Sequence, residues 1–533
     1  MQNINYLCLT AHYVDSEWTL QKRIINFCQI SSHKGESVGK VIESCLHAWG
    51  IERVFTMTVD NASSNDSMIT YLRRKIKGWK GVVLGGEFLH VRCCAHIVNL
   101  IVNEGLKDLH DSIAAVRNAV RYVRSSPARL LKFKSCVERE KIEYKGLVCL
   151  DVPTRWNSTY MMLDAAIKFQ KAFERYEEED DKFVSYFRED EGGKQKIGPP
   201  LDDDWKNVKV FVKFLKTFYD ITLKFSATLN VTSNSYFHEL CEMQNQLSEL
   251  SKQDDSMLSS MAVSMKKKYD KYWGNVENIN CLLFVAVVLD PRYKMDYLTY
   301  CFSIVYDSSI SEKLAKNVKD TMYRLHEVYS GDKGESVANA SSGEEATTST
   351  TEAKMTPEGK GCLWSSFLKK MKEKNVNEYK NDVDRYLTDH IEDPTRTNFD
   401  VLEWWKNNAT NYKVLSLVAR DILAIPVSTV ASESAFSTGG RILDPFRSSL
   451  SPKMVEALIC TQNWLRSRQH INLIDVEDFN EYEDIESGNL FTFYSFSFYF
   501  ISSPCCLFCS KLDSDDFFCY VFFSRFVNFY CNT

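Results

Sequence analysis

The segment "TMTVDNASSND", Thr56 to Asp66, decides the fold class. The residues up to Val59 favour a strand, and the polar residues from Asp60 onward favour a turn. Apolar residues recur at helical spacing in the following segment, residues 66–79. Because open α/β sheets carry their sites at the carboxyl ends of strands, this pattern predicts an α/β sheet with Asp60 at its functional edge.

The segments on either side extend the same pattern. Two strand-like runs within residues 5–30 flank a polar turn and predict a hairpin. Helical spacing predicts a helix over residues 36–49. Residues 86–93 predict a short strand, and residues 95–126 predict a long helical region. The order β-β-α-β-α-β-α therefore predicts strands interleaved with helices in one α/β sheet.

The chain becomes helical farther on. A helix is predicted to begin near Tyr160, and residues 160–330 form long amphipathic patterns rich in Phe, Tyr and Leu. Residues 331–361 are polar and low in complexity, which predicts disorder. Helical spacing resumes over residues 365–464.

Composition limits the possible classes of function. The formal net charge is −6, so no overall basic field draws the chain onto nucleic acid, and any DNA contact must come from a local patch. The 17 cysteines are irregularly spaced and no secretory signal is evident, which predicts reduced thiols in a cytosolic or nuclear protein. Apolar runs such as residues 281–289 are shorter than the roughly 20 residues that span a bilayer, so we expect no membrane partner.

Three short motifs carry candidate functional residues, each with two open interpretations. Asp60 is either a metal-binding carboxylate or the first residue of an Asx turn. Cys93 and His96, in "RCCAH", are either zinc ligands or a buried thiol and a hydrogen-bonded ring where a strand meets a helix. Zinc needs four ligands, and no convincing second pair is present in the sequence. Arg155 and Trp156, in "TRWNSTY", either clamp a phosphate and stack a base or anchor the helical region.

A dense apolar pattern lies in residues 415–465. Pro426 separates two predicted helices, and a third follows the glycine pair Gly439 and Gly440. Such apolar stripes predict either a domain core or a dimer seam. Glu433 lies on the second helix, where a lone glutamate is nearly always a solvated charge.

Residues 490–533 differ from the rest of the chain. They hold 12 of the 32 phenylalanines and 5 of the 17 cysteines, without helical or strand periodicity. We expect an aberrant tail, such as translated non-coding sequence would give, and an aggregation hazard.

Six motifs, in this order, make the chain resemble the hAT superfamily of cut-and-paste DNA transposases, and within it the RICESLEEPER-type zinc finger BED domain proteins. They are "YLCLTAHYVDSEWTLQKRIINF", "TVDNASSND", "RCCAHIVNLIV", "TRWNSTYMML", "VVLDPRYKM" and "ARDILAIPVSTVASESAFSTGGRILD". The resemblance runs from residue 5 to about residue 486. It implies an α/β plus α architecture, in which an RNase H-like core is interrupted by a large all-helical insertion and followed by a helical dimerisation segment.

The resemblance also implies site residues and a cofactor. The family holds two divalent metals, Mg²⁺ by preference, with an Asp-Asp-Glu triad. Asp60 matches the second Asp of that triad, and Glu433 matches its Glu. Cys93 and His96 match a C-x-x-H motif beside the site, and no zinc is expected here. Trp156 matches a tryptophan of the family, and that tryptophan is similar to ones that assist the handling of DNA hairpins.

Two parts of the family pattern are expected to be missing. The strand that bears the first Asp matches a place before Met1, and the DNA-reading BED zinc finger has no counterpart. Because that strand is central in RNase H-like sheets, its loss predicts two unpaired edges, in "YLCLTAH" and "RVFTMTV", and a weakened sheet. With two of three carboxylates, we expect weak Mg²⁺ binding and negligible strand cleavage.

The sequence thus predicts five segments and a function. The segments are the N-terminal part of the core at 1–150, the helical insertion at 151–330, the linker at 331–361, the dimerisation region that completes the core at 362–486, and the tail at 487–533. The predicted function is a nuclear, catalytically inactive protein that binds DNA and forms homodimers through residues 395–466, without a small-molecule substrate. The alternatives are an active hAT transposase with misassigned ends, and an interaction scaffold that does not bind DNA.

Overall fold

The computed structural model describes residues 2–79, 82–144, 146–153, 155–188, 196–227, 230–253, 256–338, 381–396, 398–442, 450–466, 519–523 and 528–531. The chain divides into two compact units. The sheet unit comprises residues 1–92, 227–237 and 280–533, and the helical unit comprises residues 93–226 and 238–279.

The sheet unit is built on a single sheet. Its strands in the described residues are β1 (Gln2–Val14), β2 (Leu20–Ile30), β3 (Val54–Val59), β4 (His90–Arg92), β5 (Cys519–Phe523) and β6 (Asn528–Cys531). They follow the order β2-β1-β5-β3-β4, and β6 also pairs with β1. β1 runs antiparallel to β2, β5 and β6, whereas β3 runs parallel to β4 and β5. The predicted hairpin and the two predicted strands are confirmed as β1–β2, β3 and β4.

The space between β1 and β3 departs from the sequence prediction. Two unpaired edges were predicted there, yet β5 pairs with residues 9–12 of β1 and with residues of β3 from Val54 to Val59. The predicted gap was wrong because backbone groups of any segment with the right direction satisfy a strand edge, even when that segment is distant in sequence. The tail that was expected to be aberrant thus contributes two strands to the core sheet.

Two helices cover one face of the sheet. They are α1 (Gly35–Ala48) and α2 (Ser63–Ile76), close to their predicted positions. The core between sheet and helices includes Leu7, Leu9, Ala11, Met57, Val59, Val38, Ile42, Leu46, Met68 and Leu72. The two helices approach closely at Gly35, where a Cβ would lie 2.2 Å from the backbone oxygen of Ser64, so only glycine fits.

Two helices from the carboxyl-terminal region pack on the opposite face. They are α18 (Val430–Ile442) and α19 (Pro452–Arg466). The core on this face includes Tyr6, Cys8, Ile24, Phe27, Ala435, Phe436, Val455 and Ile459. α19 also covers the edge strand β2, because the amide of Ile24 donates to Asn463 Oδ1 at 2.9 Å and the amide of Phe27 donates to Glu456 Oε1 at 3.1 Å. These bonds protect an edge that would otherwise invite pairing with another chain.

Further helices complete the sheet unit. They are α12 (Cys281–Val288), α13 (Lys294–Val305), α14 (Ser308–Ala338), α15 (Asp382–Thr388), α16 (Val401–Asn408) and α17 (Leu415–Leu423). Every residue of α12 is buried, which explains its unbroken apolar sequence. α14 continues to Ala338, so the linker predicted from residue 331 begins too early. The remainder of that linker and residues 362–380 lie outside the described residues.

The helical unit begins earlier than the sequence predicts. It contains α3 (Cys94–Leu106), α4 (His110–Arg124), α5 (Pro127–Arg139), α6 (Trp156–Lys168), α7 (Gln170–Glu179), α8 (Asp181–Arg188), α9 (Asp202–Ser226), most of α10 (Tyr236–Leu250) and α11 (Ser256–Tyr269). Its start lies at residue 93 and not at 151, because α3 packs against α9 and α11. At Gly105 of α3, a Cβ would lie 2.6 Å from the sulfur of Met265 in α11. Residues 280–330, predicted as part of the insertion, belong to the sheet unit.

Two features bear on the environment of the protein. Across the described ranges, no helix combines the length and apolarity of a membrane span. The cysteines whose side chains are described are not joined in disulfides, namely Cys8, Cys28, Cys45, Cys93, Cys94, Cys136, Cys149, Cys241, Cys281, Cys301 and Cys460.

Candidate functional site

Asp60 follows the last residue of β3, where the strand turns into α2. Its side chain is buried, and its Oδ1 accepts a hydrogen bond from the amide of Ala62 at 2.9 Å and another from Asn65 Nδ2 at 2.7 Å. The first bond closes an Asx turn, and the second ties the carboxylate to the first turn of α2. Asp60 therefore connects strand and helix at the carboxyl end of β3.

The loop before α18 lies against the same end of β3. Thr58 Oγ1 donates a hydrogen bond to the carbonyl oxygen of Pro426 at 2.9 Å. Glu433 is exposed in the first turn of α18, where the helix dipole favours a negative charge. The fold thus brings the loop that leads into α18 against β3, the strand that precedes Asp60, from a distant part of the sequence.

Beyond Asp60 and Glu433, the described residues offer no gathered set of acidic side chains for a two-metal Mg²⁺ centre. Such a centre needs several carboxylate oxygens directed at the two ions. Oδ1 of Asp60 already accepts two hydrogen bonds, and β5, the strand beside β3, contains no acidic residue. Within the part of the chain that the structure describes, no three His, Cys, Asp or Glu side chains gather as metal ligands. The hydrogen bonds of Asp60 fix the β3–α2 turn, and the bond from Thr58 to Pro426 holds the loop before α18 against β3.

Asp66, the other carboxylate of the opening segment, faces basic side chains of β4. Its Oδ1 lies 3.1 Å from Arg92 Nη2 and 4.0 Å from His90 Nδ1. Burial, reinforced by the nearby Arg92, lowers the pKa of His90 to about 4, so its ring is neutral near pH 7. The Asp66–Arg92 pair ties α2 to β4.

Cys93 and His96 mark the start of α3 in the helical unit. Cys93 is buried at the N-cap position, and its sulfur accepts a hydrogen bond from the amide of His96 at 3.4 Å. This geometry agrees with the interpretation of a buried thiol where strand meets helix. The expectation that the motif binds no zinc stays a prediction.

Trp156 is the first residue of α6 and lies in the interior of the helical unit. Its side chain is 2% exposed, and its ring packs edge-to-face against Tyr160 and Tyr219 with centroid distances of 6.4 and 6.5 Å. Arg155 is exposed. The helix begins before Tyr160, earlier than predicted, because the amide of Thr159 already bonds to the Arg155 carbonyl. Contact of Arg155 and Trp156 with DNA stays a prediction.

Sequence reasoning missed the ion pair that holds the segment before α6. The guanidinium of Arg117 forms a bidentate ion pair with the carboxylate of Asp151. Its Nε lies 3.0 Å from Oδ1 and its Nη2 lies 2.7 Å from Oδ2. Thr159 Oγ1 donates to the same carboxylate at 2.8 Å. Nothing in the local pattern around either residue indicates its partner. The pair fixes the chain that leads into Trp156.

The motif "VVLDPRYKM" forms a buried junction in the sheet unit, a role that the sequence did not predict. Asp290 is fully buried and accepts hydrogen bonds from Arg292 Nε at 3.0 Å, Arg292 Nη2 at 2.7 Å and Asn234 Nδ2 at 2.9 Å. Lys294 is also buried, which lowers its pKa, and its Nζ donates to three carbonyl oxygens at and after the end of α15 at 2.8, 2.7 and 3.0 Å. The motif therefore fastens α15 to the rest of the sheet unit.

The outer side of α19 is apolar. Met454, Leu458 and Leu465 are 40%, 40% and 60% exposed, and their spacing places them along one side of the helix. Val455 and Ile459 of the same helix are buried against the sheet. The carboxyl-terminal region thus completes the core and also presents an apolar surface, here called the α19 stripe (Met454, Leu458 and Leu465).

Four family models match successive parts of the chain. Residues 1–88 match the ZBED1 RNase-like domain, and residues 91–210 match the ZBED1 RNase-like helical domain. Residues 234–329 match the hAT-like transposase RNase-H fold, and residues 382–465 match the hAT family C-terminal dimerisation region. The predicted α/β plus α fold, with an RNase H-like core, helical domains and a dimerisation region, is thereby confirmed.

Curated plant proteins resemble most of the chain. It is 34% identical over 485 residues to the zinc finger BED domain-containing protein RICESLEEPER 2 of Oryza sativa subsp. japonica, a match that covers 87% of the chain and 63% of the relative. It is 31% identical over 489 residues to RICESLEEPER 4 of the same organism, covering 87% of the chain and 68% of the relative. It is 30% identical over 464 residues to DAYSLEEPER of Arabidopsis thaliana, covering 87% and 62%.

The extent of these matches decides the family. The chain spans 63% of the length of RICESLEEPER 2, so the matches concern the shared domains and not the whole of that relative. Within the chain, the matched models run from the RNase-like domain to the dimerisation region in the order that the resemblance implies. The chain belongs to the hAT transposase family, together with the RICESLEEPER zinc finger BED proteins.

Proposed function

We propose that the chain is a nuclear, dimerising protein that associates with DNA without cutting it. The observation that carries this proposal is the α19 stripe within the matched hAT dimerisation region. The relatives are named as zinc finger BED proteins, and a matched model is named for a transposase, which supports a DNA partner and a nuclear location. The role of Asp60 in a turn supports the loss of Mg²⁺-dependent cleavage and, at most, weak Mg²⁺ binding.

The α19 stripe suits contact with a second copy of the chain. A two-fold dimer brings the same patch of both subunits together, so a narrow apolar stripe can meet its own copy. The buried side of α19 fixes the helix on the sheet through Val455 and Ile459, so the stripe is held in place before association. We place the seam of the dimer on this stripe, within the predicted range 395–466.

Replacing Leu458 with aspartate is expected to weaken self-association by about tenfold or more, because a charge in an apolar seam loses hydration without a partner. Light scattering over a range of protein concentrations measures the change. The matched control is Leu131→Asp on α5, where leucine is 71% exposed and aspartate should leave association unchanged. If both replacements weakened self-association equally, or if neither weakened it, the dimer seam would not lie on α19.

A row of lysines on α9 is our candidate for DNA contact in the helical unit. Lys206, Lys209, Lys213 and Lys216 are exposed, and their spacing aligns them along one side of the helix. The outer two pair with aspartates of the same helix, at 2.9 Å for Lys206 and 3.1 Å for Lys216. The α9 lysine row spans about 15 Å of helix, enough to meet several phosphates of a duplex. It is the local basic patch that a chain of net charge −6 needs.

Exchanging Lys209 and Lys213 for glutamate is expected to weaken duplex DNA binding by about tenfold or more at moderate salt. The plot of log affinity against log salt should become less steep, its slope changing by about two, since two phosphate contacts are lost. Fluorescence anisotropy at a series of salt concentrations measures both quantities.

The control for this exchange is Lys313→Glu with Lys316→Glu on α14. These lysines are also exposed, and the change in net charge is the same. DNA affinity should then fall much less than with the α9 pair. A similar fall for both pairs would show that net charge, and not the α9 lysine row, governs binding.

Incubating the bound duplex with Mg²⁺ tests the second candidate function, an active transposase. On our proposal the DNA stays uncut, and Asp60→Ala and Glu433→Ala change nothing in the cleavage readout. Cutting that both replacements abolish would establish the active enzyme. Dimers that leave DNA unbound even at low salt would establish the interaction scaffold.

A further inference from the structure

β5 takes a central place in the sheet although it belongs to the far carboxyl end of the chain. It pairs with β1 so that Thr10 lies opposite Phe522, and with β3 so that Thr58 lies opposite the same residue. All residues of β3 are buried, as are residues 6–12 of β1. Buried backbone amides and carbonyls need partners within the protein, because water cannot reach them. β5 supplies those partners to both strands.

We propose that the space between β1 and β3 is a strand-binding site, here called the strand slot, which the chain fills with its own carboxyl-terminal strand. The ligand of such a site is an extended apolar segment that runs parallel to β3 and antiparallel to β1. Main-chain hydrogen bonds on both sides recognise it, as in other cases of strand addition. Any other segment of this kind must displace β5 to enter.

The carboxyl-terminal sequence suits this role. β5 has the sequence "CYVFF", in which the last four residues favour a strand and none is proline. β6 lies on the same side of β1, because β2 occupies the other side, and pairs residues 528–531 with residues 2–5. The tail therefore holds β1 at two places along its length.

The connection to the rest of the chain permits the strand slot to be filled from within. Fifty-two residues separate Arg466 at the end of α19 from Cys519. A chain of that length can extend over about 170 Å, which is long enough for β5 to pair within the sheet of the same chain. A tethered strand also has a higher effective concentration than the tail of a second copy, which favours the occupant from the same chain.

Replacing Val521 with proline in the full chain tests the strand slot. Val521 lies opposite Ala11 and Met57, so the proline removes an amide donor in the middle of a doubly paired strand. Among residues 9–11 and 57–59, the amides that face β5 should exchange about 100-fold faster, which corresponds to about 3 kcal/mol at 1.4 kcal/mol per tenfold. The control, Val527→Pro, lies between β5 and β6 and should leave these amides protected. Unchanged protection with Val521→Pro would overturn the inference.

A cross-link gives a second test that does not depend on a damaged strand. Ala11→Cys and Val521→Cys together place two thiols at paired positions of β1 and β5. After mild oxidation, mass spectrometry should find residues 11 and 521 linked within one chain. Ala11→Cys with Asn528→Cys should give no such link, because Asn528 lies opposite Asn5. Absence of the 11–521 link, or its formation only between chains, would overturn the inference. Neither test involves the α19 stripe or the α9 lysine row, so failure here would leave the proposed function intact.

Discussion

Replacing Asp290 with alanine is expected to lower the free energy of unfolding of the sheet unit by about 3–5 kcal/mol. The side chains of Asp290 and Arg292 are 0% and 16% exposed, so water cannot replace the lost carboxylate. The guanidinium would remain largely buried without a counter-charge, and Asn234 would lose an acceptor. Urea unfolding followed by tryptophan fluorescence measures the loss, since Trp405 packs in the same junction and donates to the carbonyl oxygen of Leu289 at 2.8 Å.

Two further replacements distinguish the effect of the lost charge on stability from the effects of the lost side-chain volume and of the position in the chain. Asp290→Asn keeps the shape and one carbonyl oxygen, so its cost should be smaller, about 1–3 kcal/mol. Asp296→Ala removes an exposed aspartate of α13 and should change stability by no more than about 0.5 kcal/mol. If Asp290→Ala cost as little as Asp296→Ala, the junction would not be the buried ion pair described above.

This junction gives the motif "VVLDPRYKM" a structural role in the sheet unit. Asp290 fixes Arg292 and the segment around Asn234, while Lys294 holds the end of α15. α15 opens the matched dimerisation region, which begins at residue 382. The motif therefore couples the buried helix α12 to that region through packing and hydrogen bonds.

Local periodicity predicted the first half of the sheet unit well. The strand before Asp60 and the helices on either side follow from alternation and helical spacing, which depend on near neighbours in sequence. The place of β5 could not be predicted in this way. Its pairing with Thr10 and Thr58 depends on residues several hundred positions apart, and its phenylalanine-rich sequence has no period of its own.

The candidate site was predictable in position but not in detail. Asp60 at a strand end follows from the local sequence, and the Asx turn was one of its two interpretations. The hydrogen bond from Asn65 depends on how α2 starts, which the sequence does not reveal. The approach of the loop before Glu433 to β3, through Thr58 and Pro426, depends on the tertiary fold, and only the family resemblance indicated that Asp60 and Glu433 belong together.

Replacing Trp156 with alanine is expected to lower the free energy of unfolding of the helical unit by about 3–5 kcal/mol, the usual cost of removing a buried tryptophan. The 2% exposed ring packs against Tyr160 and Tyr219, so its removal leaves a cavity lined by aromatic rings. Urea unfolding of the full chain, followed by amide exchange in α6 and α9, measures the loss. Arg155→Ala, one residue earlier but exposed, should stay within about 0.5 kcal/mol.

The same pair of replacements distinguishes packing from DNA contact at this motif. A base stacked on an aromatic side chain is worth about 1–3 kcal/mol of binding, so a tryptophan that stacks DNA would lose affinity on replacement while stability changed little. Trp156→Phe keeps most of the buried volume and should retain both stability and DNA affinity if the ring is an anchor. If Trp156→Phe lowered the affinity for DNA but left stability unchanged, Trp156 would have to leave the core and contact DNA directly. Because Arg155 is exposed beside it, a fall in affinity confined to Arg155→Ala would assign the motif's DNA contact to the guanidinium and leave the indole to hold the helical unit together.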